Sequence, residues 1–339
     1  MQNFMRADGA KLQGRWLSLL LIFSILLPLS GLVACAPAGE QTTTSLSASQ
    51  QEAKADKLLV VTTIFPSYDF VRAIAGDKVE LKLLLPPGAE SHSFEPSPQD
   101  LIQAENSDLF IYVGGHSDHW AQKIVENRGT DKASLALLDL VPTLNEEIVE
   151  GMEEEEEEES EEDFEVDEHV WTNPQNAIKL VQAFCETLIE LDPAHKDYYR
   201  ERTQAYLAEL EKLDQDFEDL FSKAGHTVIV VGDRFPLRYF TECYGLEYYA
   251  AFPGCSAEGD ASPQTVAFLI DKVREEQVPV VFHIESSSAR LAETIAQESG
   301  AQVALFHSCH NLSAEDFQAG LGYLDLMRQN LNTLAEYIQ

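Results

Sequence analysis

The chain has 339 residues and a formal net charge of −35 at pH 7. Such an excess of carboxylates repels phosphate backbones and argues against a nucleic-acid partner, while it draws cations to the surface. Setting aside an N-terminal signal leaves roughly 300 residues, enough for two domains with real cores.

Arg6, Lys11 and Arg15 form a basic lead, and residues 16–29 are an apolar run in which only Ser18 and Ser24 are hydroxylic. The run is too short for a membrane span and reads as an export signal. It ends in Leu32-Val33-Ala34-Cys35, the bacterial lipoprotein pattern, so residues 1–34 are expected to be removed and Cys35 to carry lipid. Residues 35–57, rich in Thr, Ser, Gln and Ala, read as a flexible tether. The expected location is the outer face of the bacterial cell membrane, held there by the lipid.

From Leu58 the texture becomes α/β. Short apolar, β-branched runs predict strands over 58–64, 79–85, 108–113 and 136–140. Helices are predicted over 66–75, 98–106 and 119–127. Residues 145–168 contain the block Glu153 to Glu159 and further carboxylates up to Glu168, which repel one another and predict a solvated acidic loop. It reads either as a weak cation antechamber, since carboxylate oxygens take many hard ions, or as a solvated insert. Asn173-Pro174 starts a linking helical region, 174–224, interrupted at Asp192-Pro193. Strands are then predicted over 227–231, 246–252, 279–284 and 301–306, and helices over 236–244, 263–276, 289–298 and 319–338. The expected fold is α/β: an N-terminal lobe (58–173) and a C-terminal lobe (225–339), each with a mainly parallel sheet, joined by a long helical region. Ligands of such sheets sit beyond the carboxyl ends of the strands.

Four strand-end loops carry chemistry: 86–97 with His92, 169–174 with His169, 232–236 with Asp233, and 306–311 with His310. Imidazoles converging from separate loops suit one borderline-soft cation. His116, His119, His195 and His226 read as ordinary exposed or structural residues, and His283 as a packed strand residue. Of five cysteines, Cys35 goes to lipid and the other four form no CxxC pair. Their connectivity is open. The bridge expected is Cys255–Cys309, because both fall in loops after strands of the same half, while Cys185 reads as a buried thiol.

Thr62-Thr63-Ile64-Phe65-Pro66, the segment from Leu85 to Ser97, His169-Val170-Trp171, residues 295–301 and residues 323–331 resemble the zinc- and manganese-binding lipoproteins of ABC importers. The resemblance runs from about Leu58 to the C terminus. It implies two lobes joined by a rigid helix, metal held in the cleft between them, and His92 and His169 as ligands. The family's third ligand, a histidine or glutamate, falls on Arg234, which cannot ligate because it never deprotonates. A one-residue shift would bring Asp233 there instead. The family's last carboxylate ligand falls on His310. The expected site is therefore His92, His169 and His310, completed by Asp233 or water. Three nitrogen donors favour zinc, with manganese as the alternative.

The expected function is capture of zinc outside the cytoplasm and delivery to an ABC permease, by a monomer that breaks no bond. A manganese importer component, a metal-dependent surface adhesin and a zinc hydrolase are the alternatives. The chain has neither a His-Glu-x-x-His pair nor a Gly-x-Ser-x-Gly elbow, which counts against hydrolysis.

Overall fold

The structure is a computed structural model that describes residues 57–90, 93–129, 131–152, 166–225, 227–254 and 261–338. The signal, Cys35, the tether up to residue 56, His92, residues 153–165 of the acidic run, His226 and Cys255 lie outside the described residues.

The first half alternates β1 (Leu58–Thr62), α1 (Phe65–Ala75), β2 (Val79–Leu83), α2 (Pro98–Asn106), β3 (Leu109–Tyr112), α3 (His119–Asn127), β4 (Ala133–Ala136) and the short turn α4 (Leu137–Leu140). Its sheet is wholly parallel in the order β2-β1-β3-β4, with Val60 opposite both Leu81 and Leu109. Strands buried on both faces need no alternation, which is why β1 reads as a continuous apolar run. The fourth strand was expected over 136–140. It lies earlier, and Leu137 to Leu140 form the helical turn α4 instead, burying Leu137 in the core.

Two helices follow, α5 (Pro174–Leu191) and α6 (Lys196–Phe221). Asn173 caps α5 by accepting from Gln175 N–H at 2.8 Å, and Pro193 breaks the path between the helices. The stripe Tyr199, Leu210, Leu213 and Phe217 is buried, and α6 packs on α1, α5 and the last helix.

The second half continues with β5 (Val228–Phe235), α7 (Arg238–Tyr244), β6 (Glu247–Pro253), α8 (Pro263–Glu275), β7 (Val280–His283), α9 (Arg290–Ser299), β8 (Gln302–Leu305), α10 (Ala314–Ala319) and α11 (Tyr323–Tyr337). Its parallel sheet has the order β6-β5-β7-β8, the first half's topology repeated. The final helix expected over 319–338 starts later, at Tyr323, and is preceded by the short α10, which ends at Gly320. The loop expected over 232–236 is instead a continuation of β5, with a register shift between Val231 and Arg234. Gly232 is needed there, because a Cβ would lie 2.6 Å from the Cα of Ala292 in α9.

One apolar core runs through both halves and includes Phe70, Phe184, Phe217, Phe240 and Phe306. Polar contacts reinforce it. Tyr323 N–H donates to the buried Asp69 at 2.7 Å, and Arg72 pairs with the same carboxylate. Asn311 donates to the carbonyls of Pro86 and Ala89 at 2.9 and 2.8 Å. Gly88 N–H donates to Leu312 O at 2.8 Å. The strand ends of the two lobes are thus tied together around a small cleft. Among the described residues no helix is long and apolar enough to cross a membrane.

Candidate metal centre

His169 leads into the short helical turn Val170–Thr172 and is fully buried. Two contacts with one carboxylate fix it: Asp167 Oδ1 accepts from His169 N–H at 2.8 Å and lies 3.2 Å from its Nδ1. A carboxylate at Nδ1 holds that nitrogen's proton and leaves Nε2 to carry the lone pair, the usual way a protein prepares a metal-binding imidazole. Burial opposes charging of this ring. Asp167, Glu168 and Glu146 outweigh it, so the pKa stands above the ordinary imidazole value.

Asp167 and Glu168 were assigned to the solvated acidic loop, and the structure corrects this. Both are buried, at 2% and 1% exposure. Asp167 N–H donates to Leu144 O at 2.9 Å, beside an antiparallel bridge between Asn145 and Val166. Tyr239 of the second lobe donates to Asp167 O at 2.8 Å. Glu168 accepts from Ser117 N–H at 2.8 Å. Nearby Asp118, buried just before α3, has its pKa pushed up to about 6, chiefly by burial.

The second imidazole, His310, comes from the loop after β8 and is also buried. Glu285, just past β7, shapes that loop. It accepts from Ser308 N–H and Ser308 Oγ–H at 2.7 Å each, and from His310 N–H at 3.1 Å. Cys309 between them takes the left-handed conformation, φ 59°, a strain of about 1 kcal/mol that turns the chain back toward the cleft. Trp171 backs both rings, with centroids 5.5 Å from His169 and 4.8 Å from His310. Its indole N–H donates to Ser308 O at 2.9 Å.

The two histidine ring centroids are 5.4 Å apart. Two imidazoles on one tetrahedral zinc, at Zn–N of about 2.0–2.1 Å, place their centroids roughly 5 Å apart. Between the lobes lies a space of about 20 Å³, lined by residues that include Glu90, His169, Arg234, Glu285 and His310. That is room for one water-sized body. Among the described residues no three His, Cys, Asp or Glu side chains converge on one point; the third expected ligand, His92, lies outside them.

Asp233 does not complete this pair. Its carboxylate accepts from Arg234 N–H at 2.8 Å, from Ile284 N–H at 3.5 Å and from Ser287 Oγ–H. It braces the strand ends of the second lobe, and Arg234 lines the cleft in its stead. Arg234 lies at the register shift in β5. Cys309 is a free, fully buried thiol with its Sγ 3.9 Å from His307 O; its expected partner, Cys255, lies outside the described residues. His283 ends β7 half-buried rather than in the core. The rings of His116 and His119 are 5.8 Å apart and tilted by 35°, and neither lines the cleft space.

A family model described as "ZnuA: Zinc-uptake complex component A periplasmic" matches residues 60–337. The chain belongs to that family. ZnuA-type proteins are metal-binding solute receptors of ABC importers and not enzymes, so the hydrolase alternative falls. The chain is 32% identical to the high-affinity zinc uptake system protein ZnuA of Bacillus subtilis, over 84% of this chain and 89% of that one. It is 29% identical to the iron ABC transporter substrate-binding lipoprotein MtsA of Streptococcus pyogenes, over 93% of this chain and 97% of that one. The crystal structure of the Zn(II)-bound ZnuA-like domain of Streptococcus pneumoniae AdcA superposes with a TM-score of 0.69 at 27% identity, covering 83% of this chain and 99% of that one.

Proposed function

We propose that the interlobe cleft captures one divalent transition-metal ion outside the cytoplasm, with zinc the preferred cargo, and presents it to an ABC permease. The observation that carries this reading is the pairing of His169 and His310 at 5.4 Å across a space of about 20 Å³. Residues 92, 169 and 310 are the proposed ligands, His92 on the strength of the sequence. Imidazole donors favour zinc over manganese. The relatives' names divide between zinc and iron, so preference is a property of this chain's own donors. Residues 1–34 as a removed signal, Cys35 as the lipidated residue and 35–57 as a tether complete the proposal, with the permease as partner.

Isothermal titration of metal-stripped protein with zinc, manganese and iron(II) tests the reading. One zinc per chain, bound more tightly than manganese and weakened by His169→Ala and by His310→Ala, is expected. Binding that ignores both substitutions would falsify it.

A further inference from the structure

The cleft holds a positive charge where a metal receptor would be expected to have none. Arg234 lies at the register shift in β5 with its side chain 7% exposed, and its Nη1 donates to Glu90 Oε1 at 3.1 Å. The second oxygen of Glu90 accepts from Ser93 N–H at 2.7 Å. Glu90 belongs to the first lobe and Arg234 to the second, so the ion pair spans the cleft beside His169 and His310.

A guanidinium cannot ligate and cannot lose its proton. Left in place it repels an incoming dication, and it also occupies the cleft carboxylate that projects from the first lobe. Glu285, the other carboxylate lining the space, is already committed to Ser308 and the His310 backbone. The pair therefore has two self-consistent states. Without metal, Arg234 neutralises the Glu90 carboxylate, whose side chain is 21% exposed. With metal, the dication can do the same with twice the charge.

We propose that Glu90 and Arg234 form a charge-exchange latch: an entering divalent cation takes the Glu90 carboxylate as an additional ligand and displaces the Arg234 guanidinium. This rests on the reading of the cleft as a dication site. The latch makes Arg234 the residue that sets affinity. It lowers the grip on the metal, because every binding event must break an ion pair, and it supplies a returning cation that helps drive release. It also favours ions able to compete for a carboxylate while holding two imidazoles, which is the donor mixture zinc and iron(II) accept.

The test is zinc titration of four metal-stripped proteins: wild type, Arg234→Gln, Glu90→Gln and the double variant, each with its thermal melt recorded. Arg234→Gln is expected to tighten zinc binding by at least about tenfold. Glu90→Gln is expected to weaken it by about tenfold. In the Glu90→Gln background the Arg234 substitution should tighten binding much less than in the wild type, because the contested carboxylate is gone. Unchanged or weaker binding in Arg234→Gln, or an equal effect in both backgrounds, overturns the latch. Should Arg234→Gln fail to fold, Glu90→Gln alone decides, and undiminished binding there overturns it. A zinc-loaded crystal reads the geometry: Arg234 and Glu90 should lie beyond about 4 Å from each other, and an intact ion pair contradicts the proposal. Absence of zinc binding in the wild type overturns the dication reading as well. Wild-type binding without the Arg234 effect overturns the latch alone.

Discussion

The two lobes repeat one strand order, β2-β1-β3-β4 and β6-β5-β7-β8, yet the second sets a guanidinium, Arg234, among the carboxylates at its strand ends. The first lobe brings His169 backed by the buried acids Asp167 and Glu168, together with Glu90. The second brings His310 held by Glu285, with Arg234 beside it. One side of the cleft is built to raise the pull on a cation and the other to temper it. On the proposed reading, the strand-end loops set where the ion would sit and the charges around the cleft how firmly it would be held.

Substitutions on the two sides should therefore behave unequally. The largest effect is expected from His169→Ala, a loss of at least about 100-fold in zinc affinity, measured by competition with a chelator. Asp167→Ala leaves the ring but not its fixed tautomer and should cost about 10- to 100-fold. Its imidazole pKa, followed by NMR in the metal-free protein, should fall because an attracting carboxylate is lost. On the second lobe, Glu285→Ala frees the loop that presents His310 and should cost about tenfold. If Glu285→Ala proves worse than His169→Ala, the first lobe is not the dominant side.

The smallest effect is in the pH dependence. The pKa of His169 is raised in the folded, metal-free chain. Protonation there stabilises the metal-free protein below the ordinary imidazole pKa, and that contribution is lost as pH rises through the raised value. Zinc must displace the same proton, so affinity should fall as pH drops, with a few-fold weakening already between about pH 7.5 and 6.5. The zinc-induced rise in melting temperature should shrink over the same interval. The Asp167→Ala variant should shift this fall to lower pH. An unshifted profile would break the link between Asp167 and the ring.

Most of the fold was legible because buried parallel strands and amphipathic helices leave strong local patterns. α2 and α3 lie where the pattern put them, over 98–106 and 119–127. The failures have physical causes. Ala136 to Leu140 is more apolar than Ala133 to Ala136, so the run drew the strand assignment although Leu137 to Leu140 form a helical turn. Gly232-Asp233 reads as a turn, whereas the glycine permits close packing of β5 against α9. At the site, His169 and His310 were visible as strand-end imidazoles. Asp167 and Glu168 were hidden by the acidic run they terminate; their place directly before His-Val-Trp was the available signal. Glu285 follows an apolar strand and was open to the strand-end rule. The pairing of Arg234 with Glu90 joins residues 144 apart in sequence and had no local trace.

Anomalous diffraction at the zinc edge, on crystals of the chain given one equivalent of zinc, tests the central claim most directly. A single peak in the interlobe cleft, about 2.0–2.1 Å from a ring nitrogen of both His169 and His310, is the predicted result. A peak at His116 and His119 with the cleft empty would contradict it.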